Sequence, residues 1–148
     1  MDSDTIYSIL RADAKCSPMF LGVFPCDRLP STINRNRPSI LVCNTDTYGN
    51  PGKHWIVIYI ENSDYGEYFD SLGAPPEAPF RTFLHRHCAR WIFTDRQLQS
   101  IVSKFCGHYC ILYSLHRARG RNINAVANML TFDTGLNDYL VYNFVSKA

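Results

Sequence analysis

The stretch His54-Trp55-Ile56-Val57-Ile58-Tyr59-Ile60-Glu61-Asn62-Ser63-Asp64-Tyr65-Gly66-Glu67-Tyr68-Phe69-Asp70 carries the clearest structural signal in the chain. Trp55–Ile60 is β-branched or aromatic at every position, as a buried strand favours. Asn62-Ser63-Asp64 has hairpin-turn composition, and Glu67–Phe69 leads a second strand. A reversal near Asn62 sets Ile58 opposite Gly66, Ile56 opposite Tyr68 and His54 opposite Asp70. Directly opposed residues share a face, with Cβ atoms about 5 Å apart. An imidazole and a carboxylate at that spacing hydrogen-bond, which fixes the ring tautomer and raises the histidine pKa. Both fall at the open end of the hairpin, flanked by Pro51-Gly52 and Ser71-Leu72-Gly73, where a cleft can form. A slip of one residue would send them to opposite faces. By themselves the two residues fit equally well a surface histidine beside a strand-end aspartate.

On either side of the hairpin, short apolar runs alternate with amphipathic patterns. Asp4–Ala12 reads as a helix with Ile6, Tyr7 and Leu10 on one face behind an acidic, cap-forming start. Phe20–Phe24 and Ile40–Cys43, bounded by Pro and Asn, read as buried strands separated by the Pro- and Arg-rich loop Pro30–Pro38. After the loop Gly73–Ala78, Pro79 suits the first turn of a helix carrying Phe80, Phe83, Leu84 and His87. Arg90–Thr94 is a further strand candidate. Cys106–Arg117 is apolar at 106, 109, 110 and 113, the stripe of a core helix ending near Gly120. Leu136–Val145 is apolar at 136, 139, 140 and 144 and forms a last helix. Helices at both ends with strands clustered between them predict an α+β fold. Nothing divides residues 1–148, so one domain is expected.

Composition excludes several classes. The 148 residues are 46% hydrophobic, 19% charged and 14% aromatic, which rules out a disordered or low-complexity chain. The longest apolar run, Trp55–Ile60, is too short to span a bilayer, so no membrane partner is expected. Met1-Asp2-Ser3-Asp4 is acidic where a signal peptide is positive, so a soluble intracellular protein is expected. A net charge of +2 neither requires nor forbids an acidic partner. Two basic clusters stand out, Arg35 with Arg37 and His116-Arg117-Ala118-Arg119-Gly120-Arg121, each readable as a solvated surface or a nucleic-acid contact. Cys16, Cys26, Cys43, Cys88, Cys106 and Cys110 are too sparse for a disulfide scaffold and include no CxxC pair. Cys106-Gly107-His108-Tyr109-Cys110 and His85-Arg86-His87-Cys88 lack the paired spacing of a zinc site, so no metal is expected.

Cys106 stands at the predicted start of the buried helix, where unpaired backbone N–H groups and the macrodipole favour an anion. A free thiol is only roughly 3% thiolate at pH 7. A helix N-terminus and a neighbouring imidazolium lower its pKa and make a resident nucleophile. Gly107 removes a side chain beside the sulfur, which eases the approach of a substrate carbonyl. The amide of Gly107 or Cys106 can face a developing oxyanion. A glutamine side chain a few residues upstream can supply a second oxyanion donor. The competing description is a buried inert thiol, which fits Cys110, one turn further on.

These signals, in the order His54-Trp55, Tyr68-Phe69-Asp70-Ser71-Leu72-Gly73, Gln99-Ser100 and Cys106-Gly107-His108-Tyr109-Cys110, closely resemble adenain. Adenain is the adenovirus-type cysteine protease, distantly related to the SUMO-specific Ulp proteases. Phe20-Leu21-Gly22-Val23-Phe24 with Asp27 and Leu29-Pro30, and the run from Cys43-Asn44-Thr45 through Gly52 to His54-Trp55, extend the likeness over roughly residues 4–116.

The resemblance implies a papain-like fold, with a central mixed or antiparallel sheet flanked by helices and the nucleophile at the N-terminus of a buried helix. It assigns Cys106 as nucleophile, His54 as general base, Asp70 as its orienting acid, and Gln99 with the Cys106 amide as oxyanion hole. Gln97 also precedes the cysteine, but Gln99 fits the family spacing better. Trp55 is either a groove wall or a core aromatic. Asp70 departs from the Glu of mammalian adenovirus enzymes, and its shorter side chain needs a closer approach. The implied function is endoproteolysis of structural precursor proteins of a DNA virus or virus-like element, at small glycine-containing sites. That places the protein in the host nucleus and the virion, as a monomer with no metal or organic cofactor. An activating peptide and DNA are implied partners, with Cys88 as the peptide-linking cysteine, or a plain buried thiol, and Arg117–Arg121 as the DNA contact. The same motifs fit a deconjugating protease for a ubiquitin-like modifier ending in Gly-Gly, or a non-enzymatic module that retains the fold.

Overall fold

A computed structural model describes residues 1–49 and 54–148. Five strands, β1 (Phe20–Pro25), β2 (Ser39–Asn44), β3 (Trp55–Ile60), β4 (Tyr65–Phe69) and β5 (Arg90–Phe93), lie in that spatial order in one sheet. The outer pairs β1–β2 and β4–β5 are parallel, and the inner pairs β2–β3 and β3–β4 are antiparallel. The sheet is therefore mixed, one of the two expected forms.

Helices cover both faces. On one, α1 (Ser3–Ala12), α3 (Cys106–Ala118), α4 (Ile123–Asn128) and α5 (Thr134–Ser146) enclose a core with Ile40, Val42, Val57, Tyr59 and Phe69. On the other, α2 (Ala78–His87) packs Phe80, Phe83 and Leu84 against Leu41, Cys43, Ile56, Ile58 and Tyr68. Because β3 is covered on both faces, it reads as a continuous apolar run rather than an alternating one.

The hairpin register differs from the expected one. Ile58 pairs with Tyr68 and Ile60 with Gly66, two residues on from the sequence-based pairing. The turn sets this. The Asn62 carboxamide oxygen accepts from the amides of Asp64 (2.9 Å) and Tyr65 (3.0 Å), and the Glu61 amide donates to the Tyr65 carbonyl (2.9 Å). A three-residue reversal, Asn62–Asp64, centred on Ser63, replaces a turn centred on Asn62. An even shift keeps every side chain on its face, so His54 and Asp70 become diagonal rather than direct neighbours, still within reach.

Two other expectations change. Within α1, Ile6 and Leu10 are buried, but Tyr7 is exposed and meets Phe20 at the rim. Helix α5 forms where expected yet turns a different face inward: Asn137, Asp138, Val141 and Val145 are buried, while Leu136, Tyr139, Leu140 and Phe144 are exposed. Hydrogen bonds decide that orientation. Asn137 Nδ2 donates to the carbonyls of Thr131 (2.8 Å) and Leu98 (3.0 Å), and Asp138 accepts from Tyr109 Oη (2.8 Å). Helix α4 was not expected; its signals are the Asn122 cap, which accepts from the Ala125 amide (2.9 Å), and the buried pair Ile123 and Val126.

A charged cluster ties α3 to the sheet. Glu67, fully buried, accepts from Tyr113 Oη (2.5 Å) and Tyr65 Oη (2.6 Å) and pairs with Arg117 (3.2 Å). Arg117 also pairs with Glu61 (3.1 Å) and lies over the Tyr59 ring. Removing one partner of a buried ion pair typically costs about 3–5 kcal/mol. Arg117→Met, which strands Glu67, is expected to lower the unfolding free energy on that scale. A urea midpoint unchanged from the parent would contradict it.

Candidate active site

His54 immediately precedes β3, and its carbonyl accepts from the Thr45 amide (2.9 Å), which prolongs the β2–β3 ladder by one rung. Asp70 immediately follows β4 and opens a tight turn, in which its carbonyl accepts from the Gly73 amide (2.9 Å) and Oδ1 from the Leu72 amide (2.8 Å). The turn requires glycine at 73: φ is +80°, and a Cβ there would lie 2.7 Å from the Arg96 carbonyl carbon. The same Oδ1 lies 2.7 Å from His54 Nε2, so the shorter acid does reach the ring. With Nε2 on the carboxylate, Nδ1 is left for the hydrogen bond with the Cys106 thiol.

Cys106 is the first residue of α3, and its predecessor Phe105 offers no capping side chain to the first-turn amides. Burial pushes the thiol pKa up. The hydrogen bond and charge of His54 and the backbone amides of Trp55 and Gly107 outweigh it, leaving Cys106 below the ordinary thiol value. Burial likewise pushes His54 down, but Asp70 and Cys106 raise it to about 9. The five other cysteines all move upward, chiefly through burial, Cys110 well above the usual range. Ionisation thus singles out one thiol of six.

Gln99 reaches the same cleft, an open cavity of about 880 Å³ lined also by His54, Trp55, Asn44, Ser103 and Cys106. The amides of Leu98 (2.8 Å) and Gln99 (3.0 Å) both donate to the Ser71 carbonyl. The Leu98 carbonyl accepts from Tyr109 Oη (3.1 Å) and Asn137 Nδ2 (3.0 Å). Ser71 Oγ donates to Gln99 Oε1 (2.6 Å), while Gln99 Nε2 donates to the Ser103 carbonyl and hydroxyl, each at 3.1 Å. Gln97 turns its own carboxamide onto the Gln99 carbonyl (3.0 Å). Sequence reasoning missed Ser71, Ser103 and Asn137. Ser71 lies within Tyr68-Phe69-Asp70-Ser71-Leu72-Gly73, but a serine after an aspartate reads first as a turn former.

The remaining expected residues lie in varied surroundings. The space beside Gly107 is filled by Ile6 and Met1, each about 3.3 Å from where its Cβ would sit, so its small size serves helix packing rather than substrate approach. Trp55 fills both roles left open for it: it packs on the core, lines the cleft, and donates from Nε1 to the Met1 carbonyl (3.3 Å). Cys88 is buried in the α2 core, its thiol donating to the Leu84 carbonyl (3.3 Å). In the basic cluster, Arg117 is committed to Glu67 and Glu61, Arg119 to Asp13 (2.8 Å), and Arg121 to His116 (3.2 Å). Pro51-Gly52, expected beside the cleft, lies outside the described residues.

No family model and no curated protein matches this sequence. Solved structures do share its fold. The ASFV pS273R protease aligns with a TM-score of 0.68 and 17% identity over 95% of this chain and 65% of that one. Its selenomethionine form aligns at 0.54 and 22% over 71% and 43%. This chain therefore spans less than two thirds of that protease. ChlaDub1 from Chlamydia trachomatis aligns at 0.63 and 13% over 99% and 89%. These likenesses show a fold that this chain shares with both proteins.

A thiolate–imidazolium pair predicts two separable pH effects. Alkylation of Cys106 by iodoacetamide is expected to stay fast at pH values where a free thiol is already protonated, since the thiolate persists down to its depressed pKa. Any reaction needing a proton from His54 should decline as pH passes about 9, where the imidazolium is lost, while alkylation should not. Mass spectrometry of Cys106 across the pH range checks the first effect; a single titration at a free-thiol pKa would contradict it. Asp70→Asn should weaken the pair and shift that titration upward.

Proposed function

We propose that this chain is a cysteine endopeptidase of the adenain type, cutting structural precursor proteins of a DNA virus or virus-like element at glycine-containing sites. The observation that carries the proposal is the hydrogen bond of Asp70 to His54, whose ring interacts in turn with Cys106, at the cleft that Gln99 also lines. The Cys106 thiolate attacks the scissile carbonyl, forming a C–S bond as the carbonyl pair moves onto oxygen. That oxyanion is received by the Cys106 amide and the Gln99 carboxamide. His54 passes its proton to the departing amine, the C–N bond breaks, and a thioester remains. Water, deprotonated by His54, attacks the thioester; the acid product leaves and the thiolate returns. Asp70 holds the ring throughout.

The shared fold with the ASFV protease supports hydrolysis, and the precursor substrate follows from the adenain resemblance. Cleavage of a peptide library with and without DNA, using Cys106→Ala as the blank, tests both. Aliphatic-x-Gly-x-type peptides are expected to be cut and the blank to be inert. Selective cutting after the Gly-Gly end of a ubiquitin-like protein would replace the precursor substrate, and turnover by Cys106→Ala would end the protease reading. Gln99→Ala is expected to lower kcat by about 10²–10³, as losses of oxyanion donors do.

A further inference from the structure

We infer that Ser71 is the positioning residue of the oxyanion donor, its hydroxyl locking the Gln99 carboxamide with the nitrogen turned toward the cleft. The inference rests on the endopeptidase reading and assigns Ser71 a role beyond forming the turn. Two contacts determine which way the carboxamide points. A backbone carbonyl can only accept, so the group 3.1 Å from the Ser103 carbonyl must be the Gln99 nitrogen. The carboxamide oxygen then faces Ser71 Oγ at 2.6 Å, and the hydroxyl must donate. A reversed carboxamide would set oxygen against the Ser103 carbonyl.

The backbone around Gln99 leaves little other freedom. The Ser71 carbonyl receives the Leu98 and Gln99 amides, and Tyr109 and Asn137 hold the Leu98 carbonyl. With the backbone fixed, only the side-chain torsions remain, and the hydroxyl removes them from the oxygen end. Ser71 and Gln99 are 1% and 3% exposed, so solvent does not compete for this bond. One N–H can then leave Ser103 for the oxyanion while the oxygen stays anchored, sparing reorientation in the transition state. Because Ser71 adjoins Asp70, a single turn places both the acid that orients His54 and the anchor of the oxyanion donor.

The test uses the full chain and a fluorogenic Leu-Arg-Gly-Gly amide. Ser71→Ala is expected to lower kcat roughly 10- to 100-fold with little change in KM, less than the full loss of Gln99. In a Gln99→Ala background the same change should cost less than about twofold, because both act through one donor. Iodoacetamide, which builds no oxyanion, should alkylate Cys106 at the parental rate in Ser71→Ala. The Gln99 side-chain NH2 resonances, assigned by their loss in Gln99→Ala, supply a readout that needs no turnover. They should move toward free-carboxamide positions and exchange faster in Ser71→Ala. Unchanged NH2 resonances, or an equal cost of Ser71→Ala in both backgrounds, would overturn the inference. Failure of the endopeptidase reading shows separately, as an amide left uncut by the parent chain or still cut by Cys106→Ala, and the resonances still decide Ser71.

Discussion

The hydrogen bond between His54 Nε2 and Asp70 Oδ1 spans the open end of the β3–β4 hairpin, and the rest of the site is built from its two anchors. Behind it stands a sheet covered on both faces, so the strand ends cannot drift without disturbing two cores. In front of it, the imidazole presents its second nitrogen to a thiol at a helix start. The turn that begins at Asp70 also receives the segment carrying Gln99 through the Ser71 carbonyl. Acid and carboxamide are therefore positioned by one reversal of the chain, and the acid in turn holds the base.

Charge is distributed to match. Burial alone would neutralise both His54 and Cys106, since desolvation disfavours each charged form. Each charge relieves the cost of the other, and the Asp70 carboxylate with the Trp55 and Gly107 amides tips the balance to the ion pair. Cys110, one turn deeper in α3 and without such partners, is driven the opposite way. Placement within a single helix separates a nucleophile from an inert thiol.

Polar contacts orient the C-terminal helix as well. By hydrophobicity, α5 would bury Leu136, Tyr139, Leu140 and Phe144; instead it buries Asn137 and Asp138, which hold Leu98 and Tyr109. A buried carboxamide that satisfies the Leu98 carbonyl helps fix the Gln99 segment, and that demand outweighs the apolar stripe. Likewise Arg117, conspicuous as part of a basic cluster, answers the buried Glu67 under the sheet.

The sequence by itself determined the order of the five strands and of every helix but α4, the continuous apolar run of β3, the α+β class, and the candidate residues His54, Asp70, Gln99 and Cys106. Those features are written in local periodicity and composition, which short segments carry on their own. Tertiary structure alone decided the two-residue shift of the hairpin, the inward face of α5, the filling of the space beside Gly107 by Met1 and Ile6, and the clasp of Ser71 on Gln99. Each of these depends on side-chain hydrogen bonds or close packing set by the local turn or by distant residues. Such contacts have no periodic signature, and only the packed chain reveals which polar groups must be satisfied.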